Sequence, residues 1–204
     1  MDFLNVNLVP IVKIRGKVTD NSILFNKIVN GKGIEDYSKW ELVSKINSQY
    51  LIAKEEVDEF FTAKENNDIV EMYDGAIDTF YTVPFLVQLL NEYEIRYDTE
   101  YDECDGYTLA ELDILEQGSA DVLFEATELD LDILSEYADR VICNNMEKFT
   151  TDEAVFKTWK SEYIPTSKVV DGVTYYFFVD ENMKVKKRDG FQKVKVEDLF
   201  DDAK

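Results

Sequence analysis

Apolar residues recur at three- and four-residue spacing from Asp36 onward, at Val43, Ile46, Tyr50, Ala53, Val57 and Phe60, which predicts a long amphipathic helix. The polar run Glu65-Asn66-Asn67-Asp68 interrupts the pattern with turn formers. A second helix is predicted from there, with Val70, Tyr73, Ile77, Phe80 and Val87 as its buried stripe and Pro84 bending it or ending its first half. The two helices should form an antiparallel hairpin. Val122, Ala126, Leu129, Ile133 and Tyr137 predict a third long helix over about 120–149, apolar on more than one side and so expected in a central or oligomer-facing position. Upstream, 6–18 is rich in Val, Ile and Leu and is broken by Pro10 and Gly16, which predicts a short extended segment. Downstream of Pro165 the pattern turns to β: Val169-Val170, then Asp171-Gly172, then 173–179, with Asp-Gly as a hairpin signal.

The expected fold is mainly α, an antiparallel helical bundle with a small C-terminal β-hairpin appendage and a short extended N-terminal segment. We expect one domain over 1–204, with a helical core at about 36–150 and the appendage at about 165–196. An acid-dominated stretch at about 92–118, in which Arg96 is the only basic residue, reads as a solvated connection with one short helix near 109–115.

The polar positions of the hairpin carry the candidate chemistry. Glu56 and Glu59 form E-x-x-E, and Glu71 and Asp74 form E-x-x-D after eleven intervening residues, with Asp78 one turn further on. Such spacing places each set on one helix face. Counting outward from the Asn66-Asn67 turn sets Glu59 opposite Asp74 and Glu56 opposite Asp78 to within a residue. Acids gathered beside an apolar seam repel unless a cation sits between them, and a hard oxygen-ligated ion such as Mg2+ is the first candidate, with Mn2+ as the alternative. Glu71 has a structural competitor, because Asp68 to Glu71 also fits a capping box.

Composition narrows the classes. There is no histidine, which removes the usual general base, the Ser-His and Cys-His pairs and most zinc sites. Cys104 and Cys143 lack knuckle spacing, and neither a signal peptide nor a membrane span is legible, so a cytoplasmic protein is expected. A net charge of -21 argues against nucleic acid and membrane as partners, while keeping open an acidic protein that mimics DNA or binds another protein. The lysines within 184–188 form a basic cluster that reads as a solvated strand edge or as an attractor for a triphosphate. Tyr81 and Trp40 read as core packing.

Leu51-Ile52, Glu55 to Glu59 and Asp74 to Tyr81 resemble the all-α nucleoside triphosphate pyrophosphohydrolases, and most closely the MazG-like proteins common in bacteriophages. Asn144 to Phe149 resembles a second family element, an Asn-Met-x-Lys stretch, in the expected order. The resemblance implies Mg2+-dependent hydrolysis of a (deoxy)nucleoside triphosphate to the monophosphate and pyrophosphate. It implies that Glu56, Glu59, Glu71 and Asp74 hold metal, with Asp78 as a further ligand or a support for one. Glu55 or Glu59 would position or deprotonate the attacking water, and Asn145 and Lys148 would contact phosphate or sugar. A homodimer or homotetramer is implied, in host cytoplasm if the chain is of phage origin. Within the same superfamily, dUTPase and guanosine tetraphosphate hydrolase activities are the alternatives.

Overall fold

A computed structural model describes residues 8–97 and 108–202. Cys104 and the middle of the acidic stretch lie outside the described residues. The fold is mainly helical, with a three-stranded antiparallel sheet near the C-terminus. No described helix is long and apolar enough to cross a membrane.

The first element corrects the sequence expectation. Val9–Asn30 is a helix, α1, not an extended segment. Pro10 stands in its first turn, where a missing N–H costs nothing, and Ile11, Ile14, Val18 and Ile28 are buried along one side. Val and Ile suit a strand or a buried helix, and it is the packing surface offered by later elements that selects the helix here. Gly16 is an interior helical residue with open space around the position of a Cβ. Gly16→Ala should therefore stabilise the protein by about 0.5–1 kcal/mol, read as a raised denaturation midpoint.

The predicted hairpin is present as α2 (Lys39–Glu65) and α3 (Ile69–Tyr97). Ser38 and Glu41 form a capping box at the start of α2. At its end Asn67 adopts a left-handed conformation, φ 56°, and the N–H groups of Asn67 and Asp68 donate to the carbonyls of Lys64 and Ala63. Both orphan-carbonyl bonds of a Schellman turn are thus made, and α3 starts immediately.

Pro84 does not end α3, which runs on to Tyr97. Carbonyls beside the proline find side-chain donors: Ser22 Oγ donates to Tyr81 O at 2.6 Å and Gln49 Nε2 to Thr82 O at 3.1 Å. Neighbouring helices thereby support the backbone that proline would otherwise disrupt.

The third long helix is two helices, and the short helix expected near 109–115 is the start of the first of them. The first, α4 (Leu109–Glu125), is capped by Thr108 and Glu111; after a 3-10 turn at Ala126–Glu128 the second, α5 (Leu131–Met146), starts from Asp130, whose carboxylate accepts from the N–H groups of Asp132 and Ile133. A strong N-cap inside an apolar-periodic run restarts the helix there. The centre of the bundle is α3, in contact with α1, α2, α4 and α5 and buried on several sides.

A short helix α6 (Glu153–Phe156) precedes β1 (Ile164–Val170), β2 (Val173–Val179) and β3 (Val185–Lys186), and α7 (Glu197–Asp202) closes the described chain. The Asp-Gly hairpin forms as expected: Val170 pairs with Val173, and Asp171 and Gly172 both have positive φ, 51° and 78°. The sheet is docked against α1 and the turn after α5 through Ile28, Phe149, Phe177 and Val179, with Phe149 stacked edge-on against Phe25 and Phe177. Val196 and Leu199 then return the chain to the main core, where Phe200 packs on Tyr73. Trp40, expected in the core, is 79% exposed at the start of α2.

Candidate functional site

Close approach of α2 and α3 sets the site. A Cβ on Gly75 would lie 3.0 Å from Phe60 Cα and 3.1 Å from Phe60 N, so the two backbones nearly touch there. Glu59 and Asp74 are the residues immediately before this contact. Gly75→Val should force the helices apart and cost about 3 kcal/mol, the scale of overpacking against a rigid backbone, measurable by urea unfolding.

Glu56 and Asp78 are half-buried beside that contact, and their carboxyl groups are pushed towards the neutral form. Burial pushes Glu56 up to about 8, with repulsion from Asp78, Glu59, Glu55 and Asp74 adding to it. Burial likewise raises Asp78 to about 7, with repulsion from Asp74 and Glu59 partly offset by attraction to Lys193 and Lys148. Glu56, Glu59, Asp74 and Asp78 therefore share one field across the hairpin. Glu59 is among the strongest charges acting on both raised carboxyls, whereas Glu55, exposed on α2, is among them for Glu56.

Glu71 stands apart from this group. It is exposed and is not among the strongest charges acting on Glu56 or Asp78. Asp68 Oδ1 accepts from the Glu71 N–H at 3.3 Å, while the Asp68 N–H is bonded to Ala63 O, so only half of a capping box forms. The Glu71 side chain instead borders a cavity of about 160 Å3 shared with Asp74, Tyr137 and Lys193.

Asp74 has two partners that sequence spacing did not reveal. Tyr137 of α5 donates its hydroxyl to Asp74 Oδ1, and Lys193 Nζ lies 3.7 Å from Asp74 Oδ2. Burial and this bond hold the Tyr137 hydroxyl well above its ordinary range, so it remains a donor. Tyr137 was legible as a helix-core position, but nothing in its spacing marked the polar end of the ring.

Asn145 and Lys148 fall at the end of α5 and in the turn beyond it. Lys148 Nζ donates to Asn145 Oδ1 at 2.6 Å and lies 5.4 Å above the Phe25 ring. Burial brings the ammonium down to about 8, repulsion from Lys187 adds to it, and attraction to Asp78 opposes both. The structure thus brings this pair towards the same acidic face. Tyr81 packs edge-on against Phe25, and its buried hydroxyl has no partner among the described residues.

Carboxylate oxygens are the donors a hard divalent ion takes, so the chemistry of the set fits Mg2+ or Mn2+. Among the described residues no group of three or more acids and cysteines is spaced to hold an ion as the side chains stand. Repulsion among uncompensated carboxylates favours separated rotamers, and neutralisation by an ion would remove that preference.

No protein-family model, curated protein or solved structure matches this chain.

Proposed function

We propose that the chain is a Mg2+-dependent pyrophosphohydrolase that cleaves (deoxy)nucleoside triphosphates to the monophosphate and pyrophosphate. The observation that carries this reading is the shared acidic face of Glu56, Glu59, Asp74 and Asp78 with Lys148 brought towards it. Carboxyls that burial and neighbouring acids push towards the protonated form are poised to take a cation. A lysine near them suits the anion that the cation carries.

Bound Mg2+ would neutralise phosphate charge and ease deprotonation of water, the two contributions such an ion makes to phosphoryl chemistry. Glu56, Glu59, Asp74 and Asp78 are the residues to hold it, with Glu71 at the margin. Tyr137 fixes the rotamer of Asp74 through its hydroxyl. Lys148 and Asn145 bind phosphate or sugar oxygens.

With no histidine in the chain, Glu59 orients the attacking water and accepts its proton; its charge bears on both Glu56 and Asp78, which favours it over Glu55. The water oxygen forms a bond to the α-phosphorus, the bond from the α-phosphorus to the bridging oxygen breaks, and pyrophosphate leaves with that oxygen. A homodimer or homotetramer is the proposed assembly. Trp40 and Leu51, both largely exposed on α2, supply apolar surface for it.

The test is to incubate the full chain with each deoxynucleotide and with dUTP, in Mg2+ or EDTA, and to measure pyrophosphate release. Metal-dependent release from at least one nucleotide is expected. Failure with every nucleotide would remove the enzyme reading.

A further inference from the structure

Six of the chain's 22 basic residues lie within 184–195: Lys184, Lys186, Lys187, Arg188, Lys193 and Lys195, with Asp189 the only acid among them. Two have local roles. Lys186 pairs with Asp180 at 3.0 Å, and the Arg188 guanidinium lies 5.1 Å above the Trp159 ring. Lys187 has a ring contact of the same kind, and what sets Lys187 and Lys193 apart is that both bear on Lys148. Lys187 lies over the Phe191 ring at 5.0 Å with no carboxylate partner among the described residues, and Lys193 reaches Asp74 only at 3.7 Å. In a chain with 43 acids, cations left this close to one another and short of close ion pairs call for an anion.

Fold contacts hold Lys193 at the acidic face. The sheet that precedes these lysines is pinned by Phe149 against Phe177 and by a bridge between Thr150 and Tyr176, and Phe149 and Thr150 lie within two residues of Lys148. Beyond the sheet, Asn144 Nδ2 donates to Gln192 O at 2.8 Å, which ties the residue before Lys193 to the end of α5. Val194 and Val196 then anchor the far side of the segment in the main core. Lys193 borders two cavities, one of about 160 Å3 with Asp74 and Tyr137 and one of about 360 Å3 with Asn144 and Gln192. Mutual repulsion supports the same grouping, because Lys187, Lys184 and Lys193 all act on Lys148, and Lys193 acts on Lys187.

We propose that the C-terminal sheet and the segment after it form the phosphate wall of the site, in which Lys187 and Lys193 join Lys148 on the non-bridging oxygens of a polyphosphate chain. Lys193 leaves Asp74 as the chain enters, exchanging a long ion pair for charge-assisted hydrogen bonds to phosphate. The acidic face takes the cation, and the lysine wall takes the anion. This rests on the pyrophosphohydrolase reading only in naming the chain as that of a nucleoside triphosphate.

The experiment is calorimetric titration of the full protein in Mg2+ with orthophosphate, pyrophosphate and tripolyphosphate. Affinity should rise with chain length in the wild type and in Lys13→Gln, which removes an exposed α1 charge. Lys187→Gln with Lys193→Gln should lose about tenfold or more on tripolyphosphate, the weight of a charge-assisted hydrogen bond, and should flatten the chain-length dependence. The corresponding double arginine variant should restore it. Should the double glutamine variant fail to fold by circular dichroism, the two single variants serve, each with a smaller loss. Wild-type affinity in the glutamine variants, or an equal loss on all three anions, would overturn the proposal. The two readings fail separately. Nucleotide hydrolysis with an unchanged KM in the double variant keeps the enzyme and removes the wall, whereas lost tripolyphosphate binding with no hydrolysis by the wild type keeps the wall and removes the enzyme.

Discussion

Glu59→Gln should lower kcat for nucleoside triphosphate hydrolysis by about two to four orders of magnitude, the range associated with a positioned general base. The amide matches the carboxylate in size, and Glu59 is exposed, so no core contact is lost. Glutamine can neither accept the proton of the attacking water nor give a cation a full charge. Glu59 is one of the charges keeping Glu56 and Asp78 protonated, so its neutralisation should also lower both of their pKa values. A variant with lost activity and an unchanged or raised Tm is the expected signature. Glu55→Gln should cost less, because Glu59 is among the strongest charges on both raised carboxyls and Glu55 on Glu56. A larger loss in Glu55→Gln than in Glu59→Gln would transfer the base role to Glu55, and full activity in both would overturn the site assignment.

Without divalent metal, the Tm should fall as pH rises from about 4.5 to about 8. Glu56 is raised from 4.5 to about 8 and Asp78 from 3.8 to about 7 in the folded chain. Between the ordinary and the raised values the native state binds more protons than the unfolded state, so increasing pH favours unfolding. Stability from these two groups is whole below their unfolded pKa values and is lost as pH rises through the folded ones. Lys148 has the opposite effect at higher pH. Its ammonium is lowered from 10.5 to about 8, so above that value the unfolded state binds the extra proton and stability recovers. A minimum near pH 8 is expected in EDTA.

Mg2+ should remove much of the fall by replacing the protons. At about 100 times its dissociation constant it should add about 2.7 kcal/mol. For a chain of this size that raises the Tm by about 5–10 °C. Thermal scans at pH 5.5 and 8.0, each with EDTA and with Mg2+, check the sign. A Tm in EDTA that rises across this interval would contradict the burial of Glu56 and Asp78.

Local and periodic signals carried much of the hairpin in advance. The 3.6-residue repeat of α2 and α3, with Asn66-Asn67 between them, was sufficient to count Glu59 against Asp74 and Glu56 against Asp78, because a tight antiparallel turn leaves little freedom of register. Gly75 then realises that register as backbone contact with Phe60. Asp171-Gly172 was equally legible, since a two-residue loop with both residues at positive φ admits few sequences. Periodicity alone did not place α1. Its Val- and Ile-rich run suits either secondary structure, and only burial against α3 and α5 decides for the helix. Periodicity also carried straight through the Asp130 cap, because apolar spacing reports which side faces the core and not whether the backbone pauses.

The sequence by itself determined the helical hairpin, its acidic faces and the β-turn, all of which follow from interactions within a few residues or from a repeat that survives averaging over a helix. Tertiary structure alone decided that Tyr137 and Lys193 meet Asp74, that Glu71 stands outside the group centred on Glu56 and Asp78, and that the C-terminal lysines approach the acidic face. The physical reason is that those encounters depend on how α5 and the sheet dock against α1 and α3. Docking is settled by Phe25, Phe149 and Phe177 filling one another's gaps, and no spacing along the chain records such a fit.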